Sequence, residues 1–127
     1  MGDSNRYLDW YDKAAKDLQG ARILLQYDGD CSIVAFHCQQ AIEKMLKGWI
    51  LKHTGDLQSG HSLVYLCRIA AQTDGHIKDF LKDCAYVNQF YIETRYPADI
   101  PMTITADEAA ECIRIAEQVM NYLSAKE

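Results

Sequence analysis

Residues 33–52, IVAFHCQQAIEKMLKGWILK, decide the fold. Apolar side chains recur at Val34, Cys38, Ala41, Met45 and Trp49, and Ile42, Leu46 and Ile50 widen the stripe. Steps of three and four put these positions on one side of an α-helix. His37, Gln40, Lys44 and Lys47 fall elsewhere, within an arc of roughly 80° at ~100° per residue. The pattern predicts a central bundle helix with a broad core face and a narrow solvated polar edge. Gly48 interrupts an otherwise strong helix former. A mid-helix glycine costs roughly 1 kcal/mol against alanine, so close approach of another backbone is expected there.

Working outward, the chain reads as helix throughout. Asp3 or Ser4 is placed to cap a first helix running to about Tyr27, with Tyr7, Tyr11, Ala14, Leu18, Ala21 and Leu25 on one face. Asp28-Gly29-Asp30 is a turn short enough to make the first two helices antiparallel neighbours. Asp30 or Ser32 is placed to cap the second. After Lys52 the segment HTGDLQSGHS has two glycines and no periodicity, which predicts a loop. A third helix is expected over 62–73, ended by Gly75, and a fourth over 76–94 with Ile77, Phe80, Leu81, Cys84, Val87 and Tyr91 inward. Pro97 and Pro101 stop the pattern. Thr105-x-x-Glu108 is a capping box for a last helix that buries Ala109, Cys112, Ile113, Ala116, Val119 or Met120, and Leu123. No strand pattern and no internal repeat is evident. The fold class is all-α, an up-and-down bundle of about five helices.

The 127 residues suit one domain, 1–127, with a single core, and a hydrophobic content of 49% is ordinary for a globular protein. No apolar run reaches transmembrane length and no charged-then-apolar leader opens the chain, so a cytoplasmic protein without membrane attachment is expected. A net charge of −5 excludes a global basic field for nucleic acid. The charge is uneven, however. Residues 1–54 are balanced, while 101–127 carry five carboxylates against Arg114 and Lys126. Five cysteines, Cys31, Cys38, Cys67, Cys84 and Cys112, are an odd number with no CxxC pair. Cys38, Cys67, Cys84 and Cys112 read as small core residues in a reducing compartment, Cys31 as a residue before the central helix with room to be exposed, and the set not as a disulfide framework or zinc site.

Sequence chemistry is sparse. No phosphate loop, HExxH or GxSxG occurs, and the four histidines do not pair with carboxylates at metal-ligand spacing. No metal and no cofactor is expected. His37, on the polar edge, is a better candidate than His53 or His61 in the loop. Tyr91-Ile92-Glu93-Thr94-Arg95-Tyr96-Pro97 places an arginine and two tyrosines at a helix end, and a guanidinium meets phosphate bidentately while a tyrosine ring stacks on a base.

AFHCQQAIEKMLKGWIL, the loop ending His61-Ser62-Leu63 and the late YIETRYP together resemble the HEPN domain family, over nearly the whole chain. The Phe-His-Cys-Gln-Gln-Ala-x-Glu-Lys and Thr-Arg-Tyr-Pro blocks are specific in combination. The resemblance implies a helical bundle that forms a homodimer. It also implies a module that binds a nucleotide or helps a minimal nucleotidyltransferase bind its substrate, as in the similar C-terminal half of kanamycin nucleotidyltransferase. Many HEPN members are instead metal-independent, toxin-like ribonucleases carrying Arg, four to six residues, then His. Here Arg95 would need that His at Ile100, Pro101 or Met102, and Arg68 to His76 is one residue too long. The departure disfavours RNA as a substrate and an enzymatic role, and leaves no catalytic residue to name. The expected ligand site is Arg95, Tyr96, Lys44, Lys47, His37 and Gln40. High aromatic content at Tyr7, Trp10, Tyr11, Tyr65, Tyr86, Phe90, Tyr91 and Tyr96 adds an expectation of exposed rings buried by a partner copy.

Overall fold

The computed structural model describes residues 6–91 and 103–126, and every regular element among them is helical. Helix α1 spans Arg6–Gln26, α2 Cys31–Thr54, α3 Leu63–Ala71, α4 Leu81–Asn88 and α5 Ala106–Ala125, with a 3₁₀ turn at Gly75–Phe80 before α4. The predicted all-α bundle is therefore the observed architecture. Its frame is the α1–α2 hairpin, against which α5 packs on both helices and α3 on α2.

The hairpin turn is locally encoded. Asp28 takes a left-handed φ of 58°, and the Gly29 N–H reaches back 2.6 Å to the Leu24 carbonyl. A Cβ on Gly29 would lie 2.9 Å from that oxygen, so the position needs glycine. Asp30 then caps α2, its carboxylate accepting from the Ser32 N–H at 2.8 Å. Gly55, at φ 79°, closes the far end of α2. Ser62 caps α3, and Thr105 with Glu108 forms the capping box of α5. The alternatives Asp3 and Ser4 for capping α1 lie outside the described residues.

Two boundaries differ from expectation. The third helix ends at Ala71, and Gly75 opens the next element instead of closing this one. The Asp74 carboxylate accepts from the His76 N–H at 3.0 Å, capping a tight turn that carries Ile77 into the core. The fourth helix consequently begins as 3₁₀ and becomes regular at Leu81–Asn88; Gln89 interrupts it before helix resumes at Phe90 and Tyr91, and the rest of the expected span, 92–94, lies outside the described residues.

The core is continuous from Ala14, Leu18 and Ala21 of α1 through the α2 stripe to Ala116, Val119 and Leu123 of α5. Cys38, Cys67, Cys84 and Cys112 are buried in it. Trp49 is buried too, with its indole N–H donating to Thr73 Oγ1 at 2.8 Å. The expected surplus of exposed aromatics is not there. Phe90 is 1% exposed, Tyr11 and Tyr86 pack against the core, and of the named rings within the described residues only Tyr65 is exposed. Exposed apolar side chains are instead Leu8, Ile23, Tyr27, Ile33 and Leu57, so the aromatic count does not by itself argue for a partner copy.

Gly48 does mark a close approach, but of side chains. A Cβ there would sit 2.8 Å from two Tyr11 ring carbons and 3.0 Å from the Trp10 Cβ. Gly48→Ala should therefore destabilise the fold by about 1–3 kcal/mol, the usual range for overpacking, against an opposing helix-propensity gain of about 1 kcal/mol. The midpoint of urea unfolding reads the balance. A raised midpoint would mean that Tyr11 yields without cost.

Candidate polar binding face

The polar edge of α2 is broader and more structured than its sequence suggests. Beside His37, Gln40, Lys44 and Lys47, the helix presents Gln39 and Glu43, and it buries both. Glu43 is 4% exposed and Lys47 only 6%, so Lys47 does not lie on the solvated edge expected from sequence. Their spacing of one turn lets Lys47 Nζ donate to Glu43 Oε2 at 2.8 Å.

Glu43 is the hub. It also accepts from Gln39 Nε2 at 3.1 Å, and His61 Nδ1 lies 3.1 and 3.2 Å from its two oxygens. Gln39 Nε2 donates further to the His61 carbonyl at 3.0 Å, tying the loop before α3 onto α2. Gln40 Nε2 donates to Gln39 Oε1 at 2.8 Å and extends the network toward the surface. Such partners are needed, because burying a carboxylate is costly unless it is paired and hydrogen-bonded.

A second carboxylate, Asp17 of α1, holds the other flank. Lys44 Nζ donates to Asp17 Oδ2 at 2.6 Å, and His37 Nδ1 lies 3.1 Å from Asp17 Oδ1. The four expected residues described on α2 thus share one face but do not form an uncompensated positive cluster. Lys44 and Lys47 are matched by Asp17 and Glu43. Arg95 and Tyr96, the other two, lie outside the described residues.

Rings line the same face. His61 stacks on Tyr91 with centroids 5.1 Å apart and planes at 21°, and Phe36 lies 6.3 Å from Tyr91 at 23° and 6.0 Å from His37. On the α1 side, Lys47 Nζ sits 5.8 Å from the centre of the Trp10 ring. The face can therefore offer half-exposed hydrogen-bonding groups and planar rings from side chains already held in place.

The buried Cys38 and Cys112 play no part in it. Burial pushes the Cys112 thiol up to about 12 and raises that of Cys38 further, so neither is a nucleophile near neutral pH. No group of three or more His, Cys, Asp or Glu side chains among the described residues is arranged to hold a metal ion. No helix among them is long and apolar enough to cross a membrane.

Sequence reading overlooked Gln39, Glu43, Asp17 and the role of His61. Glu43 was detectable, since it stands four residues from both Gln39 and Lys47. Asp17 was not, because its partners are 20 and 27 residues away across a helix interface whose register the sequence does not state.

Comparison with known proteins agrees with this architecture. The family described as HEPN domain matches residues 7–126. Among solved structures, TT1696 from Thermus thermophilus is 30% identical with a TM-score of 0.87, the alignment covering 97% of this chain and 99% of that one. ST0689, described as an archaeal HEPN homologue, is 26% identical with a TM-score of 0.74, covering 94% and 96%. No curated protein matches the chain.

The hub generates a stability prediction. Glu43→Gln keeps the side chain's shape but leaves the buried Lys47 ammonium without its counter-charge, which should cost about 3–5 kcal/mol. Adding Lys47→Met to that variant should restore most of the loss. Urea unfolding of the single and double variants measures both. A loss below about 1 kcal/mol in the single variant, the scale of an exposed pair, would show that the pair is not buried in solution.

Proposed function

The chain belongs to the HEPN domain family, and from that premise we propose that it is a non-catalytic module binding a nucleotide, or a nucleotide-bearing substrate, for a nucleotidyltransferase partner. The proposed site is the polar face of α2, with His37, Gln40, Lys44 and Lys47, joined by Arg95 and Tyr96. One observation carries this reading. The face is pre-arranged, with Asp17 and Glu43 holding its lysines and histidines while ligand-ready capacity remains. Lys44 has three N–H donors and spends one on Asp17, and the Gln40 carbonyl oxygen accepts no hydrogen bond from the described residues. Side chains already ordered lose little entropy when a ligand arrives. We further propose a homodimer, in which the exposed Ile23 in the last turn of α1 and Tyr27 just beyond its end meet a second copy.

A second reading has its own observation. His61 beside Glu43 and His37 beside Asp17 are imidazole–carboxylate pairs, the arrangement that orients a general base. Either pair could replace the histidine missing from the family's Arg-x4-6-His motif and support metal-independent RNA cleavage.

Calorimetric titration of ATP and GTP, run beside an RNA cleavage assay, tests both readings. Binding without cleavage is expected. Arg95→Ala should weaken binding by about 10- to 150-fold, the range for a charge-assisted contact, and Gln40→Ala by about 2- to 10-fold, with unchanged melting curves. Absence of nucleotide binding in the wild type would remove the first reading. Cleavage abolished by His61→Ala or His37→Ala would establish the second.

A further inference from the structure

Beside the polar face, α1 and α2 form an open recess of about 150 Å³ lined by Asp9, Trp10, Lys13 and Lys44. This is below the ~300 Å³ at which pockets for whole drug-sized ligands begin, so it suits one part of a larger ligand. Its wall is an indole ring, a surface on which planar rings stack favourably. Three charged residues, Asp9, Lys13 and Lys44, complete the lining.

The behaviour of those charges is informative. Asp9 and Lys13 are four residues apart on one helix, the spacing at which such side chains ordinarily pair. Asp12 and Lys16, at the same spacing on the same helix, do pair, at 3.0 Å. Asp9 and Lys13 do not pair, and neither has another ionic or hydrogen-bonding partner among the described residues. Opposite charges thus stand apart on the rim of a ring-walled recess that Lys44 joins to the polar face. Lysine is a donor only, and an ionised carboxylate is an acceptor only. A complementary ligand would present a planar ring, an N–H group on that ring, and an anion within reach of both lysines.

We propose that this recess holds the base of a nucleotide: the ring stacks on Trp10, Asp9 accepts a hydrogen bond from an exocyclic base amine, and Lys13 with Lys44 meets the phosphates. The inference rests on the binding reading given above and assigns its base-recognition half to α1. It favours nucleotides whose base carries an amino group, because the Asp9 carboxylate can only accept a hydrogen bond.

ATP and purine-riboside triphosphate differ only in whether the six-position carries an amine or a hydrogen, which makes them the natural probes. Calorimetric titration of both into the full chain should show tighter binding of ATP, with the preference lost in Asp9→Asn. Trp10→Leu should weaken ATP binding by about 5- to 150-fold, the range for losing one stacked base, and Trp10→Phe should retain most of the affinity. Lys13→Ala should weaken binding in a manner that fades as salt is raised. Asp9 and Lys13 are exposed, so their variants carry the test even if Trp10→Leu fails to fold. If Lys13→Ala and Asp9→Asn bind ATP like the wild type while Gln40→Ala does not, the recess assignment is wrong and the binding reading survives. If the wild type binds neither nucleotide, both are overturned.

Discussion

A carboxylate inside a bundle of this size is the constraint on which the polar face of α2 depends. Burying Glu43 without partners would be costly, and the three groups that satisfy it fix three separate parts of the molecule. Lys47 is held inward against Trp10 of α1, Gln39 is oriented so that it in turn orients Gln40, and His61 brings the loop before α3 onto α2. Asp17 does the same across the α1–α2 interface for Lys44 and His37. The apolar stripe of α2 accounts for burial, while these two acids account for the arrangement of the opposite edge.

The same interactions alter the electrostatic argument for a ligand. Two lysines one turn apart in an acidic protein invite an anion, yet each has a carboxylate partner here. Ion pairing lowers the field that a distant phosphate would feel. It leaves a set of positioned donors and acceptors whose strength is short-ranged and whose specificity comes from geometry. Recognition on such a face depends more on shape and hydrogen-bond pattern than on charge steering, which suits a base as much as a phosphate.

The fold was legible because its determinants are local. The three-and-four spacing of α2, its cap, expected from Asp30 or Ser32 and supplied by Asp30, and the Thr105–Glu108 box each act within one or two helical turns. The short hairpin turn fixed the neighbours α1 and α2. The 3₁₀ start of the fourth helix was missed because Asp74 competes for backbone that periodicity alone assigns to a regular helix. The polar face was only half legible. His37, Gln40, Lys44 and Lys47 were grouped correctly on one face, but their partners Asp17 and His61 come from other elements, and pairing across elements depends on register. Lys47 looked exposed because the sequence shows its angle on the helix and not the Trp10 ring beside it.

The central claim is that the polar face of α2 and the α1 recess beside it form one nucleotide site. Amide and side-chain chemical-shift mapping of isotope-labelled protein during ATP titration addresses it most directly. The account predicts saturable shifts concentrated at Trp10, Lys13, His37, Gln40, Lys44 and His61, with the α5 face left unmoved. Shifts confined to the groove between α1 and α5, or none at saturating nucleotide, would contradict it.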